Sequence, residues 1–493
     1  MSSYTSRAIS FSWILARCSR GISIHQGLRA DGPGVITSDG SHWQELRNSL
    51  DLQYFGDIKV GEQTIAGVFD TGSFELLVFG EECTTCGKAV GYHHSSSRTF
   101  LLGNHTETHS FGSGTCQSRD AYDEVHVGPF DAMAFPFWEV VLAQMPVLRQ
   151  ANFQAIVGIG PPGEPVSTAE AAVEDFDAEA AEYVKAHGKL SDSLLDQRKE
   201  LLEKVELAKT KLSLLESLGV TSFSVCLGRA SGSSGWLVWN DSSSRTMSNF
   251  QRIPVAGSIT WSLQVSSVAL HGLDSGKQSI GCEGGCGAII DTGTSLFAVP
   301  TTMYKKIYDL LKNSGQDCRD LSKFPDLTLT IAGQEMRFGP DSYIGEMTGQ
   351  GSDEVEKYLH RDTQLDSEDE EPQGVQSRSP MVQLRQNHTR GASRTRSRAS
   401  CQLLLMDLGD EVTQLGPLMI LGMPFFREYY TTFELDTEGK RQLAVAHSDE
   451  QCRPRAAASL RASRMEPRSV DVSGIRAPRL PKRVGKASAT LGV

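Results

Sequence analysis

The sequence predicts a mainly β chain folded as two similar lobes, and three observations predict it. Apolar runs are short, β-rich and punctuated by glycine, as an all-β fold requires. The chain has 493 residues, more than the roughly 250–300 at which a single hydrophobic core stops growing. One pattern also occurs twice: Val68–Val78 reads VFDTGSFELLV and Ala288–Pro300 reads AIIDTGTSLFAVP. Each copy is an apolar strand ending in Asp, a Thr-Gly turn, a hydroxyl and a second apolar run. A single Asp-Thr-Gly is an ordinary turn after a buried strand. Two half-sites facing each other would bring Asp70 and Asp291 into contact, where both cannot easily ionise. One keeps a proton while the other is free to take one from water.

Other stretches fall in order around these two. Asn48–Gly61 (NSLDLQYFGDIKVG) reads as an entry strand, and Phe111–Thr115 (FGSGT) as a hairpin with Tyr122–Gly128 as its return strand. Ile156-Val157-Gly158 and Ile420-Leu421-Gly422 are matching apolar-apolar-Gly strands, and the second half closes on Pro424–Asp436 (PFFREYYTTFELD). With these motifs in this order, the chain resembles the pepsin-like aspartic proteases of the two-lobed, single-chain type, over about 45–162, 212–344 and 401–448.

The resemblance implies a bilobal pepsin-like acid protease fold and an aspartic endopeptidase acting on peptides or proteins. It implies Asp70 and Asp291 as the catalytic dyad, with Thr71, Gly72, Ser73, Thr292, Gly293 and Thr294 in support. Ser73 and Thr294 would donate to the outer carboxylate oxygens, and the glycines would let backbone amides approach. Val68, Phe111, Phe153 and Ile156 match positions lining the pocket for the residue before the cut, so large apolar side chains are favoured. Gly112 and Ser295 complete the substrate-binding set. Plain core packing is the competing reading of the pocket residues. No metal, cofactor or covalent intermediate is implied. The chain departs from the family at Phe111, where a tyrosine is usual, at Leu77, where a tryptophan is usual, and at Gln154-Ala155, where Asp-Gly is usual.

The remaining elements follow in chain order. Residues 1–44 read as a signal core around Ala8–Ala16 (AISFSWILA), an unstructured leader or a short pro-segment with Arg17, Arg20 and Arg29. Cys83 and Cys86 form a CxxC, which alone is ambiguous between zinc, redox and a disulfide loop; the resemblance implies a disulfide. It implies two more, Cys282–Cys286 and Cys318–Cys401, while Cys18, Cys116, Cys226 and Cys452 stay unassigned. Residues 163–211 read as a helical insertion. Ser167 and Glu170 form a capping-box pattern, Leu201, Val205, Ala208, Leu212 and Leu215 an amphipathic stripe, and His187-Gly188 a break. The lobe then resumes to 448. Residues 345–400 hold an acidic run (Asp366 to Glu371) and an Arg-rich stretch (Arg394, Arg396, Arg398) with few apolar residues. They read as a disordered loop, and 449–493 as a basic disordered tail.

A formal charge of −12 argues against a nucleic-acid protein. No apolar run of about 18 residues exists to span a membrane. The paired cysteines, with possible glycosylation acceptors at Asn104, Asn240 and Asn387, favour the secretory pathway or an acidic lysosome-like compartment. A monomer is expected. Two rival classes remain: a catalytically impaired peptide-binding homologue, and a scaffold using its insertions.

Overall fold

The computed structural model describes residues 35–36, 40–360, 401–455, 467–480, 483–484 and 490–491, less positions 211, 258, 274, 275, 315–319, 437 and 439. Its two halves repeat one strand arrangement. Gln63–Asp70 pairs in parallel with Ala155–Gly158, in register from Gly67↔Ala155 to Asp70↔Gly158, and Ala155–Gly158 also pairs antiparallel with Leu76–Phe79. In the second half Cys286–Ile290 pairs in parallel with Gly416–Leu421, and Phe297–Val299 meets the same strand antiparallel at Ala298↔Ile420. Parallel strands covered on both faces need continuous apolar runs. Val68, Phe69, Ile156, Val157, Ile289, Ile290, Ile420 and Leu421 supply them, all buried. The chain leaving each Asp turn therefore comes back beside a strand that crosses behind it, which pins the turn from both sides.

A third set of strands joins the halves. His42–Ser49, Gly235–Trp239, Ser222–Leu227, Tyr429–Leu435, Arg441–Ser448 and Gln251–Pro254 pair antiparallel in that order. Phe223 stacks on Phe433 at 4.8 Å between ring centroids, with Trp239 and Trp261 packed against Phe223. A disulfide, Cys226–Cys452, ties Ser222–Leu227 to the segment after Arg441–Ser448. Residues 252–270 look like a hairpin in sequence, but the two strands serve different sheets. Gln251–Pro254 joins the shared sheet, while Ser262–Leu273 pairs with Cys286–Ile290 and Asp326–Ile331.

Two helices, Glu164–His187 and Asp192–Thr210, occupy the insertion. Gly188 ends the first at φ +81°, a left-handed conformation that glycine adopts without a Cβ penalty, and its N–H caps Val184. Arg198 and Asp177 form a two-pronged ion pair between the helices, and Phe176, Ala180 and Val205 are buried. The capping box is not at Ser167, which lies inside the first helix; it is at Ser213 and Glu216, ahead of a short helical turn.

Two stretches expected to be disordered are partly folded. Ile344–Thr348 is a strand and Asp353–Glu356 a helical turn, with Val355, Tyr358 and Leu359 buried. Residues 361–400, with both charged runs and Asn387, lie outside the described residues. In the tail, Arg468–Asp471 adds in parallel to Ile344–Thr348. Val470, Val472 and Ile475 are at most 2 % exposed, in one cluster with Leu52, Leu296 and Ile420. These few apolar residues, spaced along a basic stretch, bury themselves against the lobes and offset the charge around them.

Disulfides join Cys83–Cys86 and Cys282–Cys286. Cys401 is also disulfide-bonded, while Cys318, Cys18 and residues 1–34 lie outside the described residues; residues 42–44, expected in the leader, instead begin the strand His42–Ser49, with Val35–Ile36 paired beside it. Cys116 is a buried free thiol. Asn104 and Asn240 are exposed. Among the described residues no helix is long and apolar enough to cross a membrane.

Candidate active site

Both Asp-Thr-Gly turns make the same local bonds. The Gly72 N–H donates to Asp70 Oδ1 at 2.9 Å and the Ser73 hydroxyl to Asp70 Oδ2 at 2.9 Å. The Gly293 N–H donates to Asp291 Oδ1 at 2.7 Å, and the Thr294 hydroxyl to Asp291 Oδ2. The turns are also locked to each other. Each threonine N–H donates to the other threonine's Oγ1 at 3.0 Å, Thr71 Oγ1 donates to the Ile290 carbonyl, and Thr292 Oγ1 to the Phe69 carbonyl. This reciprocal set fixes how far apart the carboxylates stand. The fit leaves no room for a side chain: a Cβ on Gly293 would lie 2.2 Å from Asp70 Oδ1, and one on Gly72 would lie 2.8 Å from Asp291 Oδ1.

The carboxylates are 3 % exposed each. Burial, then the negative charge of Asp70, pushes the Asp291 carboxyl up to about 7. A carboxyl that keeps its proton into the neutral range can serve as an acid where its neighbour serves as a base.

The cleft beside this pair is filled by the chain's own tail. Arg476 places its guanidinium 3.5 Å from Asp70 Oδ2 and over the Phe153 ring at 5.9 Å. The Arg476 N–H donates to Ser295 Oγ at 2.9 Å, and the Ser295 N–H donates back to the Arg476 carbonyl at 3.1 Å. On the hairpin side, the Ala477 N–H donates to Ser113 Oγ at 2.9 Å. A Cβ on Gly112 would lie 2.3 Å from the Pro478 carbonyl oxygen. Arg479 pairs with Glu75 at 2.9 Å and lies over the rings of Phe74 and Phe111.

Of the six residues expected to bind substrate, Phe111, Gly112, Phe153 and Ser295 therefore face this segment. Val68 and Ile156 do not: both are fully buried in an apolar cluster with Leu77 and Phe79. Leu77 sits inside that cluster, and half-buried Phe111 packs at its edge. Gln154 takes over a structural bond where Asp-Gly is usual, its Oε1 accepting the Ala66 N–H at 2.9 Å.

Sequence reasoning missed Glu75, His109, Ser113, Arg476 and Arg479. Burial would raise Glu75, but Arg479 beside it and His109, 3.6 Å away, pull its carboxyl down to about 2. His109 is itself buried and meets Ser118 Oγ through Nε2 at 2.7 Å. Burial and the Glu75 charge push the Cys116 thiol up to about 12, which leaves it a poor nucleophile. Among the described residues no group of three His, Cys, Asp or Glu is placed to hold a metal ion.

The family model of eukaryotic aspartyl proteases matches residues 53–363. Pepsin A of Bos taurus is 27 % identical over 318 residues, 62 % of this chain and 74 % of that protein. Cathepsin E of Aquarana catesbeiana is 27 % identical over 319 residues, 62 % of this chain and 70 % of that protein. Pepsin A of Gallus gallus is 24 % identical over 407 residues, 81 % of this chain and 86 % of that protein. The duplicated strand arrangement and the paired Asp turns agree with that match, and the chain belongs to the eukaryotic aspartyl protease family.

Proposed function

We propose that this chain is an aspartic endopeptidase in which Asp70 and Asp291 share one proton and activate a water between them. The single observation that carries the reading is the mirrored pair of turns, locked through Thr71 and Thr292, with a proton favoured on Asp291. A peptide bond resists hydrolysis because water is a weak nucleophile and the amide nitrogen a poor leaving group. The ionised carboxylate takes a proton from water as it attacks the carbonyl carbon, while the protonated carboxyl donates to the carbonyl oxygen. In the collapse of the tetrahedral species, the C–N bond breaks and the nitrogen takes a proton from the pair. Ser73 and Thr294 steady the outer oxygens. Loss of the shared proton stops the cycle, so the rate is highest at acid pH.

Phe153, under the Arg476 guanidinium that reaches Asp70, suits a large apolar residue at the cut, and Phe111 lines the hairpin side farther along the same segment. The disulfides suit an oxidising compartment of the secretory or lysosomal kind. The substrate is a peptide or unfolded protein, and the working form is a monomer. The test is cleavage of a denatured protein by the purified chain at acid pH, and its arrest by a statine-type inhibitor. Activity that survives the inhibitor, or that persists in Asp291→Asn, sinks the reading.

A further inference from the structure

The tail segment is seated as a peptide substrate would be. Its backbone bonds to Ser295 on one wall and to Ser113 on the hairpin opposite, and it passes under Gly112. Backbone hydrogen bonds of this kind are available to any extended peptide, because they use groups every residue carries. Gln53 adds another from its Nε2 to the Gly474 carbonyl at 3.0 Å. Side chains then decide which peptide fits. Arg479 enters a pocket formed by Glu75, His109, Phe74 and Phe111, where a half-buried carboxylate meets the guanidinium and two rings flank it. Glu75 belongs to the strand-turn that carries Asp70, so the pocket is built into the wall of the cleft and not borrowed from the tail.

We propose that Ile475–Arg479 is a built-in pseudosubstrate, and that the Glu75 pocket it fills selects a guanidinium side chain in the peptides that displace it. The proposal rests on the reading of Asp70 and Asp291 given above. Two features explain why the segment occupies the cleft without being a substrate there. Arg476 sets a cation beside Asp70 where a scissile carbonyl would have to lie. One of its nitrogens, Nη1, is buried without a hydrogen-bond partner, so the seat is imperfect and open to competition. Once the segment leaves, Glu75 would face the cleft beside His109 with no guanidinium. A peptide that restores the cation is bound in preference to one that does not.

The experiment uses the full chain and three variants, with a peptide library randomised at each position around the cut. Arg476→Ala/Arg479→Ala should cleave about tenfold or more faster than the wild type. Its preferred substrates should carry arginine at one fixed position on one side of the cut. Adding Glu75→Gln to that variant should erase the arginine preference of the library. A synthetic peptide of residues 470–480 should inhibit the double variant, and the same peptide with both arginines replaced by alanine should inhibit at least about tenfold less well.

Equal rates for wild type and double variant, or equal inhibition by the two peptides, would overturn the pseudosubstrate. A library without an arginine position, or one unchanged by Glu75→Gln, would overturn the pocket. If the double variant does not fold, Arg479→Ala alone decides, since it leaves Arg476 and buried Ile475 in place; a rate no higher than wild type overturns the proposal. Failure of the dyad reading looks different. No variant would then cleave in an Asp291-dependent way, although the two peptides could still differ in binding.

Discussion

The two Asp turns are copies in backbone and opposites in surroundings. Each aspartate accepts the same pair of bonds, from the glycine N–H and the hydroxyl that follow it. Past the first turn come Phe74 and Glu75, facing Arg479 and His109. Past the second come Ser295 and Leu296, and Leu296 lies in an apolar cluster with Ile420, Val472 and Ile475. One carboxylate thus opens on charge and the other is backed by hydrocarbon. A duplicated motif sets the geometry of a carboxylate pair, and residues outside the motif make the two surroundings differ.

The harshest way to break the comparison is to remove one member. Asp70→Asn and Asp291→Asn should each lower cleavage by about 10²–10⁴-fold or more, because neither half of the proton exchange works alone. Circular dichroism should show the fold retained. The next largest effect concerns the glycines. A methyl at position 293 would press within 2.2 Å of Asp70 Oδ1, against 2.8 Å to Asp291 Oδ1 for one at position 72. Gly293→Ala should therefore cost about 10²-fold in rate and Gly72→Ala less. Equal losses would show that the pair tolerates displacement from either side.

A stability measurement sharpens the electrostatic side. The folded-state carboxyl of Asp291 is raised from 3.8 to about 7, so ionising it costs stability. That cost is absent below the unfolded value and grows as pH rises from about 4 to about 7. Asp291→Asn removes it, and should gain up to about 4 kcal/mol over wild type at neutral pH and almost nothing at pH 3. Urea unfolding at the two pH values checks this, and a gain equal at both would contradict it. The smallest expected effect is at the hydroxyls. Thr294→Val should cost about tenfold in rate and raise Asp291 further, since it removes a bond that favours the charged form.

The Asp turns were legible in sequence because each position in them has one physical job that few residues can do. The glycines must admit a neighbouring carboxylate, and the flanking strands must be apolar on both faces. The cleft was legible only in part. Val68 and Ile156 lie on strands buried on both faces, between two apolar clusters, and sequence does not say which face of a fully apolar strand meets which core. Leu77 packs in an apolar cluster and Gln154 bonds to the Ala66 N–H, so neither departure from the family pattern disturbs the bonds within the turns. The tail was hidden by composition. Val470, Val472 and Ile475 are too few, amid arginines, to signal burial before the surface that receives them is known. Glu75 was silent for the same reason, since its partners His109 and Arg479 come from the hairpin and from 404 residues downstream.

The most direct test of the shared proton is kcat/KM against pH for the full chain on a denatured protein, beside Asp291→Asn. The wild-type rate should fall as pH rises through about 7, where Asp291 loses its proton, and the variant should show no measurable cleavage. A rate that climbs beyond pH 8, or a variant that follows the wild-type profile, would contradict it.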